Sequence, residues 1–343
     1  MDPVYSRPIC FSRPRPPKTV HVRASSRAAT LDALEYGPRL TRSDLTELTE
    51  LGETTLRHAV RQLSREGVLT SESRCNAAPV SVARYAALPV LDITPHRMTW
   101  RLCDTLGGSV FATVRERGLF RSPEDDLIAL MGQVSTILSA GTCGLSHRIP
   151  LQPPVLICPD GEHNESLPSL LPLMSPPPDR ILSPEEAVAE ELPYLSATRE
   201  SEVVLHIRTG EATRESLGLQ VTLFSRLAAH ERSGPFVPSP VVSDLAQSLR
   251  PYLGSHPSYT AAWWKQVAAF LGDLSRFIRL SCVVVEVDRP QEHAAVLRST
   301  LPADVKLARI RYAHNTPPLS HRGALRIIRR ALWDRMEGAQ ISR

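Results

Sequence analysis

Between residues 40 and 69 the apolar positions fall into two short helical stripes. Leu45 and Leu48 form the first, Leu51 closes a turn at Gly52, and Leu56, Ala59, Val60 and Leu63 then recur at three- and four-residue spacing. Thr41 is placed to N-cap the first of these helices. The second stripe sends Thr54, Arg57, His58, Arg61 and Arg65 to the opposite face. An earlier helix carries Ala28, Leu31 and Leu34 on one side, and VLTSESRCNAAPVSVARY follows as two strands joined by a polar tip.

From Ala87 onward the pattern alternates strands with helices. PVLDI and MTWRLCDT read as strands, the second alternating Met98, Trp100 and Leu102, and SVFATV returns after LGG. Ser122 caps a helix with Pro123 at its first position and Glu124, Asp125 and Asp126 in its first turn, burying Leu127, Leu130, Val134 and Ile137. PVLIC is the next strand. Ten prolines between Pro150 and Pro184 make most of that segment irregular connection. Ser183 and Glu186 have the spacing of a capping box for a further helix. EVVLHIR and LQVTLF give more strands, and a long helix follows whose buried side holds Trp264, Val267, Phe270 or Leu271, Leu274 and Phe277. LSCVVVEVD reads as a buried strand, residues 291–301 as a short helix and VKLARIRY as a strand. A final helix buries Leu325, Ile328, Leu332 and Met336. The expectation is two α/β lobes, each opening with a strand meander.

The polar face of the helix around Leu56 carries the candidate chemistry. In a helix-turn-helix the second helix enters the major groove with its N-terminal residues against base edges, which makes Thr54, Thr55, Arg57 and His58 the candidate readers. Arg61 and Arg65 are placed for phosphates, and Arg74 at the hairpin tip for a minor-groove or phosphate contact. A basic helix face alone is often only a solvated surface. The order of three helices and a two-stranded wing is what turns the reading toward DNA.

Charge is unevenly spread. Residues 1–30 hold Arg7, Arg13, Arg15, Lys18, Arg23 and Arg27 against Asp2, a surplus of +5 where the whole chain has +4. Five prolines from Pro3 to Pro17 oppose an amphipathic targeting helix, so residues 1–27 are expected to be a disordered basic arm that adds phosphate contacts, or a stretch ahead of the true translation start. Cys10, Cys75, Cys103, Cys143, Cys158 and Cys282 contain no C-x-x-C pair, which argues against zinc and against a disulfide framework. With no run of about 18 apolar residues, no membrane span is expected.

TRSDLTELTELGETTLRHAVRQLSREGVL resembles the helix-turn-helix of the ROK (repressor, open reading frame, kinase) family, whose repressors join a winged helix to an actin-like sugar-kinase fold. It departs at the turn, where Glu50 and Gly52 stand in place of the usual Gly followed by a Ser cap. LDITPHRMTWRLCDTLGGSV is similar to the meander carrying the family's first phosphate loop, and EVVLHIRTG to the strand entering the second. WWKQVAAFLGDLSRFIRLSCVVVEVD and HRGALRII are similar to its C-terminal helix, strand and Gly-Ala helix. The active-site positions diverge. Phosphate loops point backbone N–H groups at anionic oxygens, yet the first loop reads Asp92, Ile93, Thr94, Pro95, and Pro95 has no N–H. The second keeps Thr209 and Gly210 but continues with Glu211, a carboxylate beside the expected phosphate. The catalytic aspartate the resemblance implies falls near Ser183 and Pro184, where Glu185 and Glu186 are explained by capping. The family's Cys-rich zinc motif is missing, and His230 and Glu231 read either as a plain surface loop or as remnants of the segment that the resemblance assigns to sugar contacts.

The resulting expectation is an α/β chain: a basic tail over 1–27, a winged helix-turn-helix over 28–88, and a degenerate two-lobed actin-like ATPase (ROK-type) domain over 89–343. Its lobes span about 89–198 and 199–343, with packing of the final helix back on the first lobe left open. It is expected to be a cytoplasmic, nucleoid-associated repressor, not an enzyme. It would hold no cofactor or metal, bind double-stranded DNA as a homodimer and answer to a sugar or sugar-phosphate effector. The alternatives are an ATP-dependent sugar kinase with a DNA-binding arm, or a protein-interaction scaffold.

Overall fold

The computed structural model describes residues 20–34, 39–71, 78–83, 86–94, 97–105, 107–117, 122–140, 151–158, 167–174, 176–195, 198, 201–209, 219–226, 236–239, 261–287, 297–299, 301–311 and 317–341. The helices are α1 (Val20–Leu34), α2 (Arg42–Thr49), α3 (Glu53–Arg65), α4 (Pro123–Ser139), α5 (Leu167–Leu170), α6 (Pro184–Glu191), α7 (Ala261–Phe277) and α8 (Leu319–Ile341). The strands are β1 (Leu69–Ser71), β2 (Val80–Val82), β3 (Ala87–Ile93), β4 (Arg97–Asp104), β5 (Ser109–Glu116), β6 (Val155–Ile157), β7 (Arg180–Leu182), β8 (Val203–Thr209), β9 (Leu219–Arg226), β10 (Phe236–Pro238), β11 (Cys282–Val287) and β12 (Lys306–Arg311). They form two compact units, Met1–Ile181 with Leu325–Arg343, and Leu182–Ala324. The division falls at Leu182, and α8 contributes to both units.

In the first unit, α1, α2 and α3 enclose Leu31, Leu34, Leu45, Leu56, Val60 and Leu63 together with Val80 and Val82 of the antiparallel β1–β2 ladder. Each such side chain contributes roughly 1.5–3 kcal/mol by leaving water. Trp333 of α8 completes this core. The chain becomes helical earlier than expected: α1 starts at Val20, past the last of the N-terminal prolines. Arg27, counted above with the tail, belongs to this helix and is buried. Its guanidinium donates to both carboxylate oxygens of Glu66, at 2.9 and 2.5 Å, which offsets part of the cost of burying the cation. Ala28 is only half-buried; Leu31 and Leu34 are the inward residues.

The same unit holds a five-stranded sheet in the order β5-β4-β3-β6-β7. β3 runs antiparallel to β4 and parallel to β6, and β4 antiparallel to β5. Leu91, Ile93, Met98 and Trp100 pack against Leu127, Leu130 and Val134 of α4, while Ile137 is half-buried. Ser122 accepts the Asp125 N–H at 3.2 Å as the α4 cap, and Asp126 turns inward to Arg115 at 3.1 Å. The proline-rich stretch contains α5 and β7 as well as β6, so it is less irregular than its composition suggested. Arg329 of α8 donates to the Thr105 carbonyl at 3.2 Å, and Arg335 to Gln152 at 3.1 Å.

The second unit repeats that strand order as β10-β9-β8-β11-β12. β8 is antiparallel to β9 and parallel to β11, which is parallel to β12. Alternation along β8 sends Leu205 and Ile207 to α7, and Val204 with His206 to the other face, where Val188 and Leu192 pack. On α7 the buried stripe is Trp264, Val267, Ala268, Leu271 and Leu274, continuing to Ile278. Phe270 is therefore half-buried and Phe277 is 87% exposed, because the 3.6-residue period passes from Leu274 to Ile278 and leaves Phe277 pointing out. At Gly323 the backbones of α8 and α6 meet: a β-carbon there would lie 1.7 Å from the Ala187 carbonyl oxygen. No helix among the described residues is long and apolar enough to cross a membrane.

Candidate functional site

The α2–α3 corner is built by local capping. Thr41 accepts the Asp44 N–H at 3.1 Å while Asp44 accepts the Thr41 N–H at 2.8 Å, closing a capping box at the start of α2. Its end is unusual: Glu50 adopts the left-handed conformation (φ 54°), which glycine would take without strain. Leu51 N–H then bonds the Thr49 hydroxyl, and Gly52 opens α3.

Leu56, Ala59, Val60 and Leu63 are buried on α3. Thr54, Arg57, His58, Arg61 and Arg65 are exposed along the opposite side, and Thr55 is half-buried. At 1.5 Å per residue the row from Thr54 to Arg65 extends about 16 Å, within the reach of a groove-lying helix. Arg57 Nη2 bonds Glu53 Oε1 at 2.7 Å, one turn away on the same surface, with the two side chains 52% and 65% exposed. Arg74 lies outside the described residues, as do all of residues 72–77.

The positions compared with phosphate loops have other commitments. The β3–β4 turn is closed on itself: the Thr94 N–H and hydroxyl both donate to the Arg97 carbonyl, at 2.9 and 3.0 Å, and the Thr94 hydroxyl accepts the Arg97 N–H at 3.1 Å. Arg117 donates to the Thr94 carbonyl at 3.0 Å. Asp92 is buried, and Pro95 lies outside the described residues. Of this turn's backbone donors, Thr94 is therefore consumed and Pro95 has none to give. β8 ends at Thr209, and residues 210–218, with Gly210 and Glu211, fall outside the described residues, as do His230 and Glu231. Ser183 and Glu186 form the reciprocal capping box of α6, at 2.8 and 3.1 Å, leaving Glu185 half-buried beside it.

Sequence reasoning missed a buried polar cluster in the second unit. His206 Nε2 donates to Glu286 Oε2 at 3.0 Å, and the Leu319 N–H at the start of α8 donates to Glu286 Oε1 at 2.7 Å. Burial pushes the Glu286 carboxyl up, but the hydrogen bond and charge of His206, the charge of Arg208 and the Leu319 N–H outweigh it and hold the group below its usual value. Nearby in sequence, Arg322 pairs with the buried Glu191. The signal was present: a glutamate inside VVVEV and a histidine in phase with Val204 both require partners once the strands are buried. Burial also pushes the Cys103 thiol up to about 12 and that of Cys282 to about 11, so neither is a thiolate near neutral pH. No grouping of three or more metal-ligating side chains occurs among the described residues.

No protein-family model matches the chain, and no curated protein matches it in sequence. Solved structures do match. A ROK family transcriptional regulator homologous to the E. coli MLC protein aligns over 94% of this chain and 99% of its own, with a TM-score of 0.53 and 12% identity. An inorganic polyphosphate/ATP-glucomannokinase from Arthrobacter sp. strain KM aligns over 71% of this chain and 98% of its own, with a TM-score of 0.46 and 13% identity. A ROK family glucokinase from Streptomyces griseus, in complex with glucose and AMPPNP, aligns over 71% and 100%, with a TM-score of 0.44 and 10% identity. The chain thus has the mixed α/β, actin-like ATPase fold found among ROK proteins.

Proposed function

We propose that this chain is a DNA-binding transcriptional regulator acting as a repressor, with α1–α3 and β1–β2 forming a winged helix-turn-helix. The observation that carries the reading is α3 itself. One face is fully engaged in the core, while the other displays Thr54, Arg57, His58, Arg61 and Arg65 in an unbroken exposed row. Residues 1–19, with Arg7, Arg13, Arg15 and Lys18, would add phosphate contacts, as would Arg74. Because one such helix makes few base contacts, specific affinity would come from a homodimer on two half-sites. The overall likeness to the structure of a ROK family transcriptional regulator supports the same assignment.

In this reading the remaining residues form a degenerate sugar-kinase-like domain, serving dimerisation and the sensing of a sugar or sugar phosphate. The self-bonded Thr94–Arg97 turn and the capping role of Glu186 speak against phosphoryl transfer. Binding of the full chain to duplex DNA, measured against salt, tests the assignment. Affinity should fall linearly on a log–log scale with a slope of several units, and purified protein offered ATP with a panel of sugars should release no ADP. Absent or salt-independent DNA affinity would favour a protein-interaction scaffold, and sugar-stimulated ADP release would favour the kinase.

A further inference from the structure

Glu53 has an unexplained place on the α3 surface. A helix face that approaches phosphates gains nothing from a carboxylate, yet Glu53 stands at the first position of α3, 65% exposed, on the row that holds Arg57. Helix-dipole stabilisation accounts for an acid in the first turn. It does not account for the bond this acid makes. Glu53 Oε1 accepts from Arg57 Nη2 at 2.7 Å, and Arg57 Nη1 and Nε have no hydrogen-bond partner among the described residues. The guanidinium is thus held by one corner with donors left over for a planar acceptor pair.

Resting on the DNA-binding assignment, we propose that Glu53 is a specificity-determining residue: it buttresses Arg57 so that the guanidinium is aimed at the O6 and N7 of one guanine. A lone arginine on a helix surface has many rotamers and can serve phosphates and several bases. Holding one corner narrows that freedom before binding, and the glutamate's charge disfavours a swing of Arg57 toward the backbone. Guanine is the base that offers two acceptors on its major-groove edge, so the buttressed fork selects it. Base preference, rather than overall affinity, is what Glu53 supplies.

The test is selection of bound duplexes from a randomised library by the full chain, followed by sequencing, for wild type, Glu53→Gln, Arg57→Ala and the double variant. Enrichment of a motif by wild type is the check on DNA reading itself; no motif would remove that assignment rather than the buttress. With a motif in hand, Arg57→Ala should erase a guanine preference of about 5- to 150-fold at one position. Glu53→Gln should weaken preference at that same position by about twofold, while affinity for random duplex stays level or rises. In the double variant, Glu53→Gln should add nothing at that position. Three results would overturn the proposal: a uniform affinity gain with the motif intact, meaning Glu53 only repels phosphates; a change at a cytosine that persists in the Arg57→Ala background, meaning Glu53 reads a base itself; or loss of both affinity and helical circular dichroism in Glu53→Gln that Glu53→Asp restores with an unchanged motif, meaning helix capping alone.

Discussion

Charge is handled in opposite ways on the exposed face of α3 and in the core around Glu286. On α3 the ionisable side chains stand in water, and one contact among them, Glu53 to Arg57, joins two exposed groups; such a pair adds about 0.3–0.5 kcal/mol to the helix. In the second unit Glu286 is fully enclosed, and both its oxygens are satisfied, by His206 and by the Leu319 N–H. The first arrangement keeps its donors available to something outside the protein. The second commits them to holding β8, β11 and the start of α8 together. Polar side chains that look alike in sequence therefore stay open to solvent or are committed to architecture according to whether their partners are already inside the fold.

Removing Glu286 strikes the architectural side hardest. Glu286→Ala leaves His206 and a helix-terminal N–H buried without an acceptor, and is expected to cost about 3–5 kcal/mol, read as a drop in the urea midpoint. A loss under about 1 kcal/mol would dissolve the contrast between the two sites. The same group carries a pH signature. Since its carboxyl is held below the usual 4.5, the stability it provides is complete above the unfolded-state value and is lost as pH falls from 4.5 through the folded value. Urea midpoints between about pH 5 and 3 should fall more steeply for wild type than for Glu286→Gln.

On α3 the expectation reverses. Arg57→Ala should change stability by less than about 0.5 kcal/mol while costing about 1–3 kcal/mol in binding to a preferred duplex. An equal loss on random duplex would assign Arg57 to phosphate. The smallest effect belongs to the corner between α2 and α3. Relieving the left-handed backbone of Glu50 by Glu50→Gly should raise unfolding free energy by about 1 kcal/mol, without altering which sequences are bound.

What the sequence disclosed follows the reach of its signals. The α3 stripe, the Thr41 and Ser183 caps and the strands around Trp100 and Val284 were legible because each is written in residues a turn or a pleat apart. β7 and β10, three residues each, are too short to show a period, and form because a neighbouring strand offers an edge. The start of α1 was hidden by Arg27, whose charge reads as tail until Glu66, far along the chain, is seen to neutralise it. The Glu286 cluster likewise depends on three segments that are distant in sequence. Of the α3 row, the identity of every residue could be read in advance, but the Glu53–Arg57 bond is a rotamer choice that spacing permits and does not dictate.

Trp333 sits in the core that α1, α2 and α3 share, although it is more than two hundred residues downstream of them. A ribosome releasing this chain presents those three helices long before the side chain that fills their interior exists. Until α8 is made, the nascent helices have an apolar gap where Trp333 belongs, and the Thr105 carbonyl and Gln152 lack the arginines that bond them. The residues of the second unit are therefore all synthesised between the two segments that make up the first. In a cell, ribosome stalling or proteolysis near the C-terminus would expose the same surface that α3 depends on, leaving a partial chain that carries the α3 row without the packing that holds it in place.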